Sequence, residues 1–299
     1  MQSALRTWGV TALPNESLKP LTAEADVMVS VIIPCHNSAT YLEETARSVL
    51  AQSLDGIEMV FVDDGSSDNT VSTIEALIAS VPHARCRLLI QPQSGVAAAR
   101  NTGIRASSGR YVLPLDADDL IEPLMLEDCV RILEQRPDAS IAYTNRRDFG
   151  DFDRVWTAGS FEIGRLKYFN QLTYCAVFRR TLWESVAGYQ SNVDGFDDWD
   201  FWIACAAQKA TALHVPHPYV LHRRRRDSRL WTLIDQYEQL FAQIILNHPD
   251  VYSAREIDDA RRFLSEGKVS STLRLSRVIF REHYYNPYSA CKAEAGVES

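Results

Sequence analysis

An apolar run near the start of the chain, Val27-Met-Val-Ser-Val-Ile-Ile-Pro34, constrains the fold more than any other feature of the sequence. A strand that is buried on both faces has such a run, whereas a strand with one solvated face alternates apolar and polar residues. Shorter runs follow at Met59–Val62, Leu88–Ile90 and Arg110–Leu115. We predict that all four are neighbouring strands of a parallel sheet.

Helical periodicity fills the intervals between these strands. Apolar side chains recur with a period near 3.6 residues over 42–50 and over 71–78. Residues 95–106 predict a third helix, whose small side chains allow it to pack close to the sheet. Strands that alternate with helices predict an α/β fold, here a Rossmann-like, mostly parallel central sheet flanked by helices.

The regular alternation weakens after Asn145. Residues 146–172 are rich in Arg, Asp, Phe and Gly and indicate an excursion from the sheet, after which residues 172–178 predict a further strand. Three aspartates at 197, 198 and 200 precede an apolar helix over 201–207. Acidic side chains suit the first turn of a helix, where the helix dipole is positive.

Three regions are predicted from these patterns. Residues 1–26 contain two prolines, show no clear period and are interpreted as a loose leader. Residues 27–229 form the α/β domain. The remainder is a helical C-terminal extension over residues 230–299, with helices expected at 230–246, 254–265 and 270–283.

Composition narrows the functional class. The 299 residues contain 31 Lys and Arg against 39 Asp and Glu, a net charge of −8, which argues against broad nucleic-acid binding because that requires a basic face. No apolar window approaches the ~18 residues that span a bilayer, and the N-terminus lacks the apolar stretch of a secretory signal. We expect a cytoplasmic protein, with contact to the inner face of a membrane left open.

Cysteine spacing also excludes some kinds of site. The six cysteines lie far apart and none forms a CxxC pair, so zinc ribbons and thioredoxin-type redox sites are not expected. We expect reduced, mostly buried thiols in a reducing compartment.

Polar clusters follow three of the predicted strands. They are Pro34-Cys-His36-Asn37, Asp63-Asp64 and Asp116-Ala117-Asp118. Sheets of this class bind ligands at the carboxyl ends of their strands, so these clusters are expected to share one binding edge.

The two acidic clusters admit more than one interpretation. Asp116 and Asp118, one residue apart after a buried strand, have the oxygen donors that Mg²⁺ or Mn²⁺ prefers beside substrate phosphates, although acidic turns are also common as solvated turns. The carboxylates of Asp63 and Asp64 either accept local backbone N–H groups in an Asx-type turn or accept from a base or a ribose hydroxyl.

Arginines are the second class of candidate residues. Arg100 lies on the predicted small-residue helix and is either an exposed arginine or a cation for a diphosphate, which a guanidinium matches well. Arg223-Arg-Arg-Arg226 indicates a solvated face, a partner patch or a cover over a pyrophosphate. If these four are strand residues, only two of them point the same way.

Together the motifs resemble those of a known family. They occur in order and cover most of the chain, from about residue 27 to about residue 229: Val29–Asn37, Val62–Ser66, Gly95–Gly103, Leu115–Asp119 and Asp197–Trp202. This set resembles the family 2 glycosyltransferases of the GT-A fold.

The resemblance implies an inverting transferase with a nucleotide-diphospho-sugar donor, a UDP-sugar being favoured, and Mn²⁺ or Mg²⁺ as cofactor. The sugar would pass to a hydroxyl of a saccharide, a lipid-linked or a protein-linked acceptor, in the synthesis of a glycan, polysaccharide or glycoconjugate.

The resemblance also implies roles for particular residues. Asp198 matches the catalytic base of the family, and Asp118, with Asp116, matches its metal ligands. Asp64 would bind the uracil, with Asp63 beside it. The full set implied to bind the donor nucleotide is Pro34, His36, Asn37, Asp63, Asp64, Arg100, Asp116, Ala117, Asp118 and Arg225.

The sequence departs from the family pattern at three positions. His36 stands where tyrosine is usual, and an imidazole stacks on a base with less area. Asp197 stands where glutamate is usual. Arg225 replaces a histidine, and we infer that it supplies positive charge directly to the diphosphate.

The residues after the first strand, together with the acidic motifs, also distinguish between alternative functions. A sugar-1-phosphate nucleotidyltransferase would need a glycine-rich basic loop after the first strand, and a phosphotransferase with an aspartyl nucleophile would place its DxD there. The chain has neither. The remaining alternative is a catalytically silent GT-A domain that binds a sugar nucleotide or a partner protein, against which the presence of Asp118 and Asp198 argues.

Overall fold

The apolar run near the N-terminus forms an interior strand of a large sheet. In the computed structural model, which describes residues 27–225 and 233–281, this strand is β1, Val29–Cys35. The predicted leader, the boundary placed at residue 229, Arg226 and the end of the chain lie outside the described residues.

The first half of the chain follows the predicted alternation of strands and helices. After β1 the elements are α1 Leu42–Leu50, β2 Ile57–Asp64, α2 Thr70–Ser80, β3 Arg85–Gln91, α3 Val96–Ala106 and β4 Tyr111–Pro114.

The second half is less regular. Its elements are β5 Leu120–Ile121, α4 Met125–Gln135, β6 Ile141–Gly150, β7 Arg154–Trp156, α5 Ile163–Leu166, β8 Val177–Arg179, α6 Arg180–Ser185, α7 Asp197–Ala207, β9 Ala212–Arg224, α8 Tyr237–Asn247, α9 Ala254–Glu266 and α10 Ser271–Phe280.

One mixed sheet joins the described strands in the order β3-β2-β1-β4-β8-β6-β9-β5, with β7 paired to β6. The pairs of β1 with β2, β1 with β4, β2 with β3 and β6 with β9 are parallel. The short strands β5, β7 and β8 pair antiparallel to their neighbours. The prediction of a mostly parallel α/β sheet is confirmed.

Helices cover both faces of this sheet, as the apolar run predicted. Val31 and Ile33 of β1 are buried on the face covered by α1, α2 and α4. Ile32 is buried on the other face, against Ala99 and Ile104 of α3. Successive side chains of a strand point to opposite faces, so a strand between two helical layers must be apolar throughout.

Two predictions for the middle of the chain are wrong. The strand predicted over 172–178 is reduced to β8, because residues 172–175 are buried but belong to an irregular segment that does not pair with a strand. The excursion predicted over 146–172 begins later, because residues 146–150 continue β6 and pair with β9.

The C-terminal helices pack on α7. Phe241 of α8 stacks on Trp199 of α7 with ring centroids 5.2 Å apart. The side chains of Asn247 and His248 lie 2.8 and 2.9 Å from the Asp200 carboxylate. Helix α9 begins with a capping box between Ser253 and Glu256, which explains its predicted start.

Two predictions from the composition concern membrane-spanning helices and the state of the cysteines. None of the helices within residues 27–225 and 233–281 is long and apolar enough to cross a membrane. The cysteines at 35, 86, 129, 175 and 205 are free thiols, as expected, and Cys291 lies outside the described residues.

The close approach of α3 to the sheet gives a stability prediction. A Cβ at Gly103 would lie 2.5 Å from Cγ2 of Ile32 and 3.0 Å from Cγ2 of Val62, both buried in the core. We expect Gly103→Ala to lower the free energy of unfolding by about 1–3 kcal/mol through overpacking. Gly164→Ala is the control, because nothing lies within 4 Å of its Cβ position. Equal denaturant midpoints for the two variants would contradict this packing.

Candidate functional site

A cleft of about 500 Å³ opens at the carboxyl ends of β1 and β4. The N-terminal turns of α3 and α7 and the end of β9 complete its walls. Among its lining residues are all the predicted site residues except Asp63 and Asp64: Pro34, His36, Asn37, Arg100, Asp116, Ala117, Asp118, Asp198 and Arg225. Residues from distant parts of the chain therefore converge on one cavity.

Asp63 and Asp64 lie behind this lining. The Asp64 carboxylate accepts hydrogen bonds from the backbone N–H groups of Ser94 and Gly95, both at 2.8 Å, and from the Gln91 side chain at 2.7 Å. It thereby holds the loop that leads into α3, where Gly95 has a φ of +89°. The carboxylate of Asp63 is buried and accepts from the backbone of Ser66. That either aspartate contacts the base of a bound nucleotide remains a prediction.

His36 and Asn37 shape the loop after β1. Nδ1 of His36 lies 2.9 Å from the carbonyl oxygen of Asp64, an acceptor only, so Nδ1 carries the proton and Nε2 is left as an acceptor. The Asn37 side chain accepts from the backbone N–H groups of Ser67 and Asp68. Its φ of +51° is a left-handed conformation that asparagine tolerates better than most residues. The loops after β1 and β2 are thus joined.

Arg100 is a buried clamp rather than an exposed arginine. Its guanidinium donates to Asp197 of α7 and, at 2.8 Å, to Asp116 at the end of β4. Its guanidinium carbon also lies 5.3 Å from the ring centre of Tyr174. Burial alone would lower the pKa of Arg100, but the charges of Asp197 and Asp116 outweigh burial and raise it. The charge of Arg100 is therefore already matched by carboxylates inside the protein.

The DxD turn is Asp116-Ala117-Asp118, and a third aspartate braces it. Burial raises the pKa of Asp118, although the neighbouring Arg225, at 3.9 Å, opposes that rise. Asp119 is fully buried and accepts from the Tyr174 hydroxyl at 2.5 Å and from the Arg223 backbone N–H at 2.7 Å. The turn is thus tied to β9, which carries Arg225 to the cleft.

The arginine run alternates as a strand must. Arg223 points to one side, where it donates to Glu44 at 2.6 Å and lies over the Tyr41 ring. Arg224 points to the opposite side, 3.6 Å from Asp148. Arg225 returns to the first side and lies 5.3 Å from the ring centre of Tyr41. The expectation that alternate members share a direction is confirmed for these three.

The side chains of the cleft provide only some of the ligands that a divalent cation needs. No group of three or more His, Cys, Asp or Glu side chains capable of holding a metal occurs in residues 27–225 and 233–281. Asp116 and Asp118 are two hard oxygen donors, and after burial the charge of Asp118 is among the causes that raise the pKa of Asp116. A bound cation would offset that repulsion, with Asp118 and Asp116 as candidate ligands and a bound diphosphate or water as the source of the others.

Asp198 lines the same cleft, in the first turn of α7. Burial, reinforced by the charge of Asp197, raises its pKa to about 7. The Asn170 side chain donates to its Oδ2 at 2.9 Å. A carboxyl group with a pKa near neutrality at the wall of a cavity is suited to take up a proton.

The sequence did not predict two residues of the site. Tyr174 lines the cleft and connects the backbone of Asp116 to the side chain of Asp119. Asn170 holds Asp198 but falls in the region interpreted as an excursion. Neither follows a strand end or belongs to a motif, so no local signal marked them.

Comparison with known proteins agrees with this geometry. The family model described as "Glycosyl transferase family 2" matches residues 30–191, more than half of the chain. Chondroitin synthase of Escherichia coli is 28% identical over 195 residues, which are 63% of this chain and 28% of that protein. Hyaluronan synthase of Pasteurella multocida is also 28% identical, over 59% of this chain and 18% of its own length. The chain thus spans less than a third of these relatives.

Solved structures share the fold. S. aureus TarS 1-349 in complex with UDP-GlcNAc has a TM-score of 0.62 at 16% identity, covering 88% of this chain and 77% of that one. A mannosyltransferase of Pyrobaculum calidifontis, in complex with GDP-Man and Mn²⁺, has a TM-score of 0.60 at 21% identity, covering 91% of this chain and 80% of that one. The prediction of a GT-A architecture is confirmed.

The Arg100 clamp gives a second stability prediction. Arg100→Met keeps the volume but leaves the buried carboxylate of Asp197 without its cation, and we expect unfolding to become easier by about 3 kcal/mol. Arg105→Met, on the same helix but exposed, should change stability by less than about 0.5 kcal/mol. Chemical denaturation of both variants measures the difference. If the two variants match, Arg100 does not join these elements.

Proposed function

Because the chain belongs to glycosyl transferase family 2, we propose that it transfers the sugar of a UDP-sugar to an acceptor hydroxyl, with inversion at the anomeric carbon. One observation carries the proposal: a single cleft is lined both by the DxD turn and by the carboxyl of Asp198, whose pKa is raised by burial. The complexes of TarS with UDP-GlcNAc and of the mannosyltransferase with GDP-Man support a nucleotide-sugar donor.

The donor occupies the half of the cleft near β1 and β4 in this proposal. The nucleotide lies over Pro34 and His36, whose imidazole is fixed by its bond to the Asp64 carbonyl. The diphosphate lies between the DxD turn and Arg225, whose guanidinium faces the same cavity. A planar guanidinium matches phosphate oxygens well and is charged at every working pH.

Asp118, with Asp116, would hold a divalent cation, Mn²⁺ or Mg²⁺. When bound, the cation supplies Lewis-acid stabilisation of the negative charge on the nucleoside diphosphate. The Mn²⁺ in the mannosyltransferase complex supports a metal of this kind. Arg100 lines the same cleft but its charge is already matched by Asp197 and Asp116, so its contact with the donor stays a prediction.

Asp198 acts as the general base in the proposed mechanism. Its carboxylate accepts the proton of the acceptor hydroxyl, and the hydroxyl oxygen attacks the anomeric carbon as the bond to the diphosphate breaks. Asn170 donates to Oδ2 of this carboxylate and so restricts its orientation. A single displacement needs one carboxylate on the acceptor side, unlike glycoside hydrolysis, which uses a pair.

A catalytically silent domain accounts for the cleft less well. A domain that only binds a ligand gains nothing from a buried carboxyl with a pKa of about 7. An apolar residue in its place would cost less free energy of folding. We therefore set that alternative aside. The acceptor is a saccharide, free or carried on a lipid or protein, and the chondroitin and hyaluronan synthases support its saccharide character.

Replacement of the base tests the mechanism. We expect Asp198→Asn to lower kcat by at least about a hundredfold, because a neutral amide takes up no proton. Dissociation constants for UDP should stay within about threefold of wild type, since Asp198 touches the acceptor rather than the nucleotide. Wild-type kcat/KM should rise as pH increases through about 7, where the Asp198 carboxyl loses its proton, and the variant should lose that limb.

Asp258→Asn on the exposed side of α9 is the matched control and should behave as wild type. UDP release from a panel of sugar nucleotides measures the rate, and calorimetry measures nucleotide binding. A loss of UDP affinity equal to the loss of rate would contradict the assignment of Asp198 as the base.

Removal of the proposed metal ligand is the complementary test. Asp118→Ala should weaken Mn²⁺-dependent UDP binding by at least about tenfold, and EDTA should have little further effect on the variant. Asp138→Ala, in the exposed turn after α4, is the control and should keep the full EDTA response. A variant that retains the metal-dependent affinity of wild type would remove Asp118 from the site.

A further inference from the structure

A second cavity of about 390 Å³ lies beside the donor cleft. It is bounded by β6, β7, the turn that follows β7, helix α5 and the irregular segment before β8. Its lining includes Arg146, Trp156, Arg165, Phe169, Asn170 and Thr173.

The two cavities meet at the proposed base. Asn170 lines the second cavity, and its side-chain nitrogen donates to Oδ2 of Asp198, which lines the first. Thr173 and Tyr174 are adjacent in sequence but line different cavities, so the two cavities adjoin here. A molecule that extends from the second cavity past Asn170 towards the cleft would bring a hydroxyl group to Asp198.

The second cavity is cationic. Arg146 and Arg165 line it, and no Asp or Glu occurs among the described residues of its lining. Arg146 is nine-tenths buried, and its Nε lies 3.3 Å from the carboxylate of Asp148, which Arg224 also approaches to 3.6 Å. Arg165 is exposed and lies on the short helix α5. One guanidinium thus lies inside the cavity and a second on its wall.

The rest of the lining suits a sugar. The rings of Trp156 and Phe169 offer apolar surface, and the side chains of Asn170, Gln171 and Thr173 offer hydrogen bonds. Cavities that combine aromatic walls with a few polar groups are typical of small-molecule sites. Arginine recognises planar or tetrahedral anions through paired N–H donors.

We propose that this cavity binds the acceptor, and that the acceptor is an acidic saccharide whose carboxylate or phosphate pairs with Arg146 and Arg165. The inference rests on the proposed function and adds to it the chemical class of the acceptor. Asn170 then links the two substrates, since it orients the base and faces the acceptor.

Three simple glycosides test the inference: methyl β-D-glucoside, methyl β-D-glucuronide and methyl β-D-glucoside 6-phosphate. They differ only at C6, so they separate a neutral sugar from a carboxylate and from a phosphate. Binding is measured by calorimetry or ligand-observed NMR on the full chain with Mn²⁺ and UDP present. At least one acidic glycoside should bind about five- to tenfold more tightly than the neutral one.

Arg165→Gln should abolish this preference, whereas Arg165→Lys should keep part of it because the charge remains. Arg105→Gln removes an exposed arginine elsewhere and should leave the preference intact. Arg165 is exposed, so its variants should fold as wild type does, which circular dichroism checks.

Three outcomes overturn the inference, and they are distinguishable. A protein that binds UDP but binds the three glycosides equally, or none of them, refutes the acidic acceptor and leaves the proposed function standing. So does a preference that survives Arg165→Gln. Absence of UDP binding, measured first in the same series, would instead overturn the proposed function and this inference together.

Discussion

The buried ion pairs of Arg100 hold the candidate site together. This one side chain, on α3, joins Asp116 at the end of β4 to Asp197 at the start of α7. The DxD turn and the proposed base belong to segments far apart in the chain, so their relative position depends on the guanidinium between them. A planar group with donors on several edges is well suited to this task, and lysine would not reproduce it.

Sequence patterns predicted the first half of the fold well because its strands are buried on both faces. A continuous apolar run as short as that of β1, bounded by a proline and followed by a helical pattern, is typical of such a strand. Strand β9 gave no such signal, because its sequence contains two prolines and several polar residues and its pairing with β6 shifts register near Thr144. Its place is set by long-range pairing, which no local pattern records.

The convergence of the site residues was predictable for a related reason. Parallel strands have their carboxyl ends at the same edge of the sheet, so the residues that follow them lie close together. The roles within the site were less predictable. Asp64 has the sequence context of a ligand-binding aspartate, yet its carboxylate accepts hydrogen bonds from Gln91 at the end of β3 and from two backbone N–H groups of the loop before α3. Asn170 and Tyr174 act through partners 28 to 58 residues away, and such contacts arise only when the chain has folded.

The attachment of α8 to α7 has a consequence for how this architecture can vary. Asp200, two residues beyond the proposed base, is held by Asn247 and His248 from the end of α8. Trp199 is stacked on Phe241 of the same helix. The orientation of the Asp198 carboxylate therefore depends on helices outside the sequence motifs. A homologue without these C-terminal helices has to hold α7 in place through other contacts.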